Sequence, residues 1–314
     1  MKKATLLIRF AFLLAVLSAC QSEEKDNLFL LDGQAPGSAP LIFGQGTIST
    51  NNFEFAITFT PEMDELYFTR RQPDADNAVY SMKLEDGKWS GPQPAFFTSD
   101  QGWDFEPHIS PDGTRLYFGS VRPLNDTASS GLHQWYSQRT ANGWDDPRPL
   151  ERPFMDRRIT MYLTSAENGN LYFTTGAEGV KPEDWDIHMA FNRQGEYSEV
   201  VRMGPEINFD MKYIAHSYIA PDESYMIYDG ESDTGYGDCD LYISFNENGK
   251  WTEAINLGPQ INTDQCEMCA SVSPDGKYLF FHRGITDEND NDSGNIYWVN
   301  FAQVLDGIKN GSTN

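Results

Sequence analysis

The chain has 314 residues, which allows one large domain or two small ones. Aromatic residues make up 13% of it, which excludes disorder of the whole chain and favours strands over helices. The formal net charge of −24 argues against a nucleic-acid partner, because phosphate binding needs a basic surface. The 26 glycines and 17 prolines indicate many turns.

The chain opens with a basic stretch followed by a short apolar segment, Phe10–Leu17. This segment is too short to cross a bilayer as a helix. It leads into Leu17-Ser18-Ala19-Cys20, which resembles the bacterial lipobox, where a signal peptidase cuts before the cysteine and the sulfur receives diacylglycerol. The sequence therefore predicts a signal peptide over residues 1–19 and a lipid anchor on Cys20. An ordinary secretory signal peptide is the alternative.

Residues 20–40 are polar and contain glycine and proline, as expected for a lipidated tether. Gln21 differs from the aspartate that resembles an inner-membrane retention signal. We therefore expect a protein of the cell envelope that is anchored by lipid to the outer membrane.

The rest of the chain repeats one pattern, a tight turn followed by an aromatic strand, about every 50 to 55 residues, the spacing of propeller blades. Proline, aspartate and glycine suit the corner, the cap and the positive φ of such a turn. The aromatic strand is apolar on both faces, which predicts a strand that is covered on both sides. The aromatic strands are centred on Leu66-Tyr67-Phe68, Leu116-Tyr117-Phe118, Leu171-Tyr172-Phe173, Met226-Ile227-Tyr228 and Leu279-Phe280-Phe281.

In four of the five repeats a further strand and a hairpin of the Gly-Trp or Gly-Tyr type follow, and only the fifth repeat lacks that hairpin. Its outer strand is predicted to come from the other end of the chain, at Pro40–Phe43. The segment Phe43–Ile48 resembles Leu257–Asn262, which links the fourth and fifth repeats. Closing a ring with strands from both termini removes open sheet edges.

The motifs Ser-Pro-Asp-Gly-x-x-Leu-Tyr-Phe, Asp-Ile/Leu-Tyr, Gly-x-Trp and Leu-Gly-Pro-x-Ile-Asn together resemble the WD-repeat-like propeller repeat of TolB-like periplasmic proteins and envelope lipoproteins. The resemblance covers residues 41–301 and implies an all-β fold. We expect a five-bladed β-propeller closed by an N-terminal strand, with six blades, the usual TolB-like number, as the alternative. Residues 302–314 are expected to form a C-terminal tail.

Polar residues cluster where the inner strands begin, and inner strands line the channel of a propeller. Paired carboxylates could cleave a glycosidic bond, and a His/Tyr/Arg set could serve a lyase. Alternatively these groups only solvate the channel and pair with one another. The candidates for the channel mouth are Glu54, Asp104, Glu106, His108, Arg157, Arg158, Tyr162, His216, Tyr218 and Glu267.

Export predicts an oxidising compartment for Cys239, Cys266 and Cys269, and we expect one disulfide and one remaining thiol. A three-cysteine metal site with His216 as fourth ligand is an alternative. No cofactor is indicated, although the acidic loop Asp287–Gly294 leaves calcium open; that loop lacks the glutamate a calcium loop needs.

Three functions remain. The first is a binding or scaffold lipoprotein of the envelope with a protein or glycan partner. The second is a carbohydrate-active enzyme, either a glycoside hydrolase or a polysaccharide lyase, that works at the channel mouth. The third is a sugar- or peptide-sensing module without turnover. Whether the protein is an enzyme stays open at this point.

Overall fold

The structure is a computed structural model. It describes residues 31, 33–124, 131–176, 185–209, 211–286 and 292–309, and for residues 285, 286 and 292 the backbone alone. The predicted signal peptide, Cys20 of the predicted lipobox and most of the acidic loop lie outside the described residues. The described part of the chain forms 23 strands, one 3-10 turn at Phe154–Asp156 and one helix, α1, at Phe301–Lys309.

The strands form five antiparallel units, and each unit begins with an inner strand and continues outward in chain order. A parallel pairing of Phe53 with Gly294 joins the first and fifth units into one sheet. After β1 (Leu41–Ile42), unit 1 contains β2 (Phe53–Phe59), β3 (Glu65–Arg71), β4 (Asn77–Glu85), β5 (Lys88–Trp89) and β6 (Gln93–Pro94). Unit 2 contains β7 (Asp104–Ile109), β8 (Arg115–Ser120), β9 (His133–Thr140), β10 (Gly143–Trp144) and β11 (Arg148–Pro149). Unit 3 contains β12 (Thr160–Ser165), β13 (Leu171–Thr175), β14 (Asp186–Ala190) and β15 (Val201–Arg202).

The last two units follow the same plan. Unit 4 contains β16 (Tyr213–Ile219), β17 (Tyr225–Glu231), β18 (Asp240–Glu247), β19 (Lys250–Trp251) and β20 (Ile255–Asn256). Unit 5 contains β21 (Cys266–Val272), β22 (Tyr278–Thr286) and β23 (Asp292–Asn300). The inner strands β2, β7, β12, β16 and β21 contact one another in ring order, and β21 contacts β2 again.

The outer strand of unit 5 comes from the N-terminal side of the propeller. β1 pairs antiparallel with β23, with Leu41 opposite Trp298 and Ile42 opposite Tyr297. The amide of Phe43 continues this ladder by donating to the carbonyl of Ile296 at 2.8 Å. The predicted ring closure by strands from both ends of the chain is therefore confirmed.

The core lies between the units, because each aromatic strand is covered on both faces. In β3, Leu66 and Phe68 pack against unit 5, whereas Tyr67, between them, packs against Phe118 and its neighbours in unit 2. Equivalent clusters join units 2 and 3, units 3 and 4, and units 4 and 5. Two covered faces explain why these strands read as continuous apolar runs.

In units 2, 4 and 5 the repeated turn is held by a capping aspartate. In unit 2 the hydroxyl of Ser110 and the amide of Thr114 both donate to Asp112, at 2.6 and 3.0 Å. Gly113 takes a φ of 69°, which favours glycine. These bonds fix the hairpin between the inner strand and the aromatic strand.

The expected C-terminal tail is a helix over part of its length. In α1, Phe301 and Val304 are buried against units 4 and 5, with Leu305 and Ile308 partly buried beside them. This spacing of apolar residues is that of one helix face, and the sequence prediction overlooked it. No helix among the described residues is long and apolar enough to cross a membrane.

Candidate functional site

Three of the predicted channel residues are buried carboxylates that each pair with an arginine on the adjacent strand or, for Asp104, two residues beyond its end. Arg70 Nε lies 2.8 Å from Glu54, Arg122 Nη2 lies 2.7 Å from Asp104, and Arg283 Nε lies 2.6 Å from Glu267. All three carboxylate side chains are 0% exposed. We call these pairs the carboxylate clamps.

Each clamp also holds the segment that enters its unit. Glu54 accepts hydrogen bonds from the amide and hydroxyl of Thr50, and Glu267 accepts the same two bonds from Thr263. Arg70, Arg122 and Arg283 in turn donate to backbone carbonyls of these entering segments. The clamps therefore attach the connections between units, and they do not line the cavity described below.

Every inner strand contains a β-bulge at the same place in the repeat. The pairing register shifts once in each strand, and the residue at the shift has a positive φ between 47° and 55°. A bulge re-aims the side chain that it carries. The five residues at these positions are Ala56, Glu106, Tyr162, His216 and Cys269.

Side chains from neighbouring strands hold the bulged backbone. The amide of Glu106 donates to Thr69 at 2.8 Å, and the amide of His216 donates to Thr174 at 3.0 Å. The amide of Cys269 donates to the carboxylate of Asp229 at 3.0 Å. Because these bonds satisfy buried donors, the unusual backbone is supported at several points.

The bulges bring a set of reactive groups together, which we call the axial cluster: Glu106, Tyr162, His216, Asp229 and Cys269. Asp229 lies 2.9 Å from His216 Nδ1, while His216 Nε2 lies 3.5 Å from Glu106 Oε1. The other oxygen of Glu106, Oε2, accepts the amide of Tyr162 at 2.7 Å. The donor atoms of Glu106, His216 and Cys269 all lie within 4.8 Å of one another.

Burial shapes the protonation of the axial cluster. It raises the pKa of Glu106 to about 7, although nearby His216 opposes that rise. For His216, burial disfavours the charged ring, but the carboxylates of Asp229 and Glu106 outweigh it and raise its pKa. Burial and the same two carboxylates hold the pKa of the Cys269 thiol well above its ordinary value.

An axial cavity of about 170 Å³ adjoins the cluster and extends towards the proline-containing turns. Glu106 and Tyr162 belong to both the cluster and the cavity wall, and Glu167 lies at the same wall. Each of the five units contributes to the lining, for example through Thr58, His108, Thr164, Tyr218 and Ser271.

His108 lines this cavity, and its tautomer is defined by a neighbouring amide. Its Nε2 accepts the amide of Ser165 at 3.0 Å, so the neutral ring carries its proton on Nδ1. Burial lowers the pKa of His108 to about 3, which keeps the ring neutral.

The structure thus divides the predicted channel residues into groups. Glu106, His108, Tyr162 and Tyr218 line the cavity, and His216 stands behind them in the axial cluster. Glu54, Asp104 and Glu267 belong to the clamps.

The two predicted arginines lie elsewhere. Arg157 and Arg158 follow the 3-10 turn, outside the cavity, and Arg158 contributes a carbonyl that accepts the amide of Leu132. The sequence prediction did not include Asp229. The sequence did mark Asp229 in one way. It directly follows the aromatic strand motif at Tyr228, and the first and third repeats have the uncharged residues Thr69 and Thr174 at that position.

The cysteines divide into a bonded pair and a buried thiol. Cys239 and Cys266 form a disulfide that joins units 4 and 5, and Cys269 is the free cysteine among the described residues. The thiol belongs to the axial cluster, in which it is 1% exposed.

Comparison with known proteins identifies the fold but no family. No protein-family model matches the chain, and no curated protein matches it. TolB from Acinetobacter baumannii has 13% identity and a TM-score of 0.47, over 79% of this chain and 57% of that protein. A putative TolB from Agrobacterium tumefaciens has 14% identity and a TM-score of 0.47, over 78% of this chain and 81% of that protein.

A solved structure described as a glycoside hydrolase aligns with a TM-score of 0.50 at 9% identity, over 84% of this chain and 92% of that protein. The chain spans little more than half of the Acinetobacter TolB. At such low identities the likeness concerns the fold alone. The ring of five units makes the chain a β-propeller, and structures similar to it include TolB-like proteins and a glycoside hydrolase.

Proposed function

We propose that this protein is a lipid-anchored binding protein of the bacterial cell envelope, whose propeller holds a protein or glycan partner. The observation that carries the proposal is the axial cavity, because all five units contribute to its wall. A cavity at the axis of a propeller is a common place for a ligand.

The size of the cavity indicates what part of a partner it receives. Its volume of about 170 Å³ is smaller than the roughly 300 Å³ at which pockets for whole small molecules begin. We therefore expect it to receive a protruding side chain or a terminal sugar of a larger partner. His108, with its proton on Nδ1, and the hydroxyl group of Thr58 lie in the cavity wall, whereas the hydroxyl groups of Thr164 and Ser271 already donate to backbone carbonyls.

The clamps favour binding over hydrolysis. Glycoside hydrolysis uses two carboxyl groups that face the scissile bond. Glu54, Asp104 and Glu267 are each committed to an arginine and to the entering segment, which removes them from that role.

The binding proposal is tested by crosslinking cells that carry the full chain and recovering its partners from membranes. Wild type is compared with His108→Phe, which removes the Nδ1–H donor, and with His188→Phe, a buried histidine outside the cavity, as the matched control. We expect a defined partner for wild type and the control, and its loss for His108→Phe. Equal recovery with all three chains would contradict binding through the cavity.

The lipid anchor is tested separately, with radiolabelled fatty acid. The wild-type chain should incorporate label and sediment with membranes, and Cys20→Ser should do neither. Labelling of the Cys20→Ser chain would refute the anchor while leaving the binding test intact.

A carbohydrate-active enzyme is the second candidate, because Glu106 and Glu167 both line the cavity. Incubating the chain with a panel of polysaccharides should then produce new reducing ends or the absorbance of unsaturated products. Glu106→Gln should abolish them. A panel that yields neither product with wild type would eliminate this candidate.

A further inference from the structure

Three different metal-binding groups meet at the axis of the propeller. The imidazole of His216, the thiol of Cys269 and the carboxylate of Glu106 are 5%, 1% and 3% exposed, and their donor atoms lie within 4.8 Å of one another. Each comes from the bulge of a different inner strand. The fold therefore brings one donor atom from each of units 2, 4 and 5 to the same point on the axis.

Two buried carboxyl groups at this point share one basic partner among the described residues. Buried carboxylates need a cation or a metal. Each clamp carboxylate has its own guanidinium, whereas among the described residues Glu106 and Asp229 share the single imidazole of His216 as their ion-pair partner. Asp229 takes Nδ1 at 2.9 Å, and Glu106 stands at 3.5 Å from Nε2, beyond a good hydrogen bond.

The same geometry suits a shared ion. For ligands about 2.0 to 2.1 Å from zinc, a tetrahedral arrangement separates neighbouring oxygen and nitrogen donors by about 3.3 Å. The observed 3.5 Å between His216 Nε2 and Glu106 Oε1 is close to this value.

The donors are also oriented by partners behind them. Asp229 holds His216 by Nδ1, which fixes the ring with Nε2 towards the point of convergence; a carboxylate behind a ligating histidine is usual at metal sites. The amide of Tyr162 holds Glu106 by Oε2, which leaves Oε1 on the side of His216.

We propose that Glu106, His216 and Cys269 bind one Zn²⁺ ion at the propeller axis. A set of one nitrogen, one sulfur and one oxygen donor fits zinc, whereas calcium and magnesium prefer oxygen donors alone. Binding releases to solvent the proton of the Cys269 thiol and the proton on His216 Nε2, because zinc binds the thiolate and the neutral imidazole. Three protein ligands leave a fourth position for water or a ligand group, next to the cavity wall that Glu106 helps to form.

The test uses the full chain, kept without reductant so that the disulfide stays closed, freed of metal by a chelator and titrated with Zn²⁺ or Co²⁺. We expect one equivalent of either ion to bind. Bound Co²⁺ should show the visible bands of a tetrahedral site together with a thiolate-to-cobalt charge-transfer band. Binding without that band, or no stoichiometric binding, would overturn the assignment.

Variants separate ligands from neighbours. Cys269→Ser and Glu106→Gln, which change few atoms, should weaken zinc binding by more than about 100-fold, and Asp229→Asn by about 10- to 100-fold. His188→Asn, a buried histidine outside the cluster, should bind zinc like wild type. Circular dichroism verifies that each variant is folded. Wild-type affinity in folded Cys269→Ser would refute the site.

Discussion

The molecule handles buried carboxylates in two contrasting ways. The clamps pair each acid with an arginine at 2.6 to 2.8 Å and anchor an entering segment. The axial cluster instead places Glu106 and Asp229 around one histidine and a thiol. Arginine stays charged in proteins, so each clamp carboxylate has a fixed cation beside it, while the axial cluster pairs its two carboxyl groups with a histidine that can change protonation. The contrast separates residues that build the ring from residues that are available for chemistry.

Breaking a clamp should have the largest effect on stability. Glu54→Ala leaves the guanidinium of Arg70 buried without its carboxylate, and we expect the free energy of unfolding to fall by about 3 to 5 kcal/mol. Urea unfolding followed by circular dichroism measures the change. Glu62→Ala, at an exposed position of the next turn, serves as the control and should change little. A loss below about 1 kcal/mol for Glu54→Ala would place the clamp in the range of surface ion pairs.

The disulfide between Cys239 and Cys266 stabilises the contact between units 4 and 5, next to the clamp residue Glu267. Replacing Cys239 and Cys266 together by alanine frees a loop of 27 residues, and we expect a loss of about 3 kcal/mol. Unfolding of wild type in the presence and absence of reductant provides the matched comparison. An unchanged urea midpoint in the double variant would mean that the clamp and the apolar core hold units 4 and 5 together without the disulfide.

A smaller effect should follow from removing one support of the axial cluster. Thr174→Val keeps the shape of the side chain but leaves the amide of His216 without its acceptor. The expected loss in unfolding free energy is about 1 to 3 kcal/mol. Ser224→Ala, which removes a hydroxyl from an exposed turn, is a control that should lose less. Equal losses would show that the bulge does not depend on this bond.

The smallest effect concerns Glu65, a carboxylate between units 1 and 2 that pairs with partly exposed Arg139 and Lys83. Burial raises the pKa of Glu65, but hydrogen bonds and charge from Arg139 and Lys83 outweigh it, so the folded pKa lies below 4.5. Its stabilising contribution is therefore present above the unfolded pKa and is lost as pH falls through the lower folded pKa. The unfolding free energy of wild type should fall more steeply below about pH 4.5 than that of Glu65→Gln. Parallel curves for the two proteins would contradict this.

The architecture could be predicted from the sequence because the turn chemistry recurs, and one missing hairpin pointed to closure by Pro40–Phe43. The site could be predicted only in part. Asp104 and Glu106 were both expected at the channel mouth, and in a regular strand they would share a face. The bulge after Phe105 separates them, so that Asp104 joins a clamp and Glu106 joins the axial cluster. A bulge leaves little trace in composition. Asp229 escaped prediction because it lies on the second strand, which was assigned to the core.

The pairing of β1 with β23 has a consequence for how the protein is made. Ser49 and Ile296 exchange hydrogen bonds across 247 residues of chain, so the first unit is joined to a strand that is synthesised much later. Contacts of such long range form slowly. The ring cannot close until β23 has been synthesised. Until then the first unit exposes to solvent the apolar face that unit 5 covers in the folded protein.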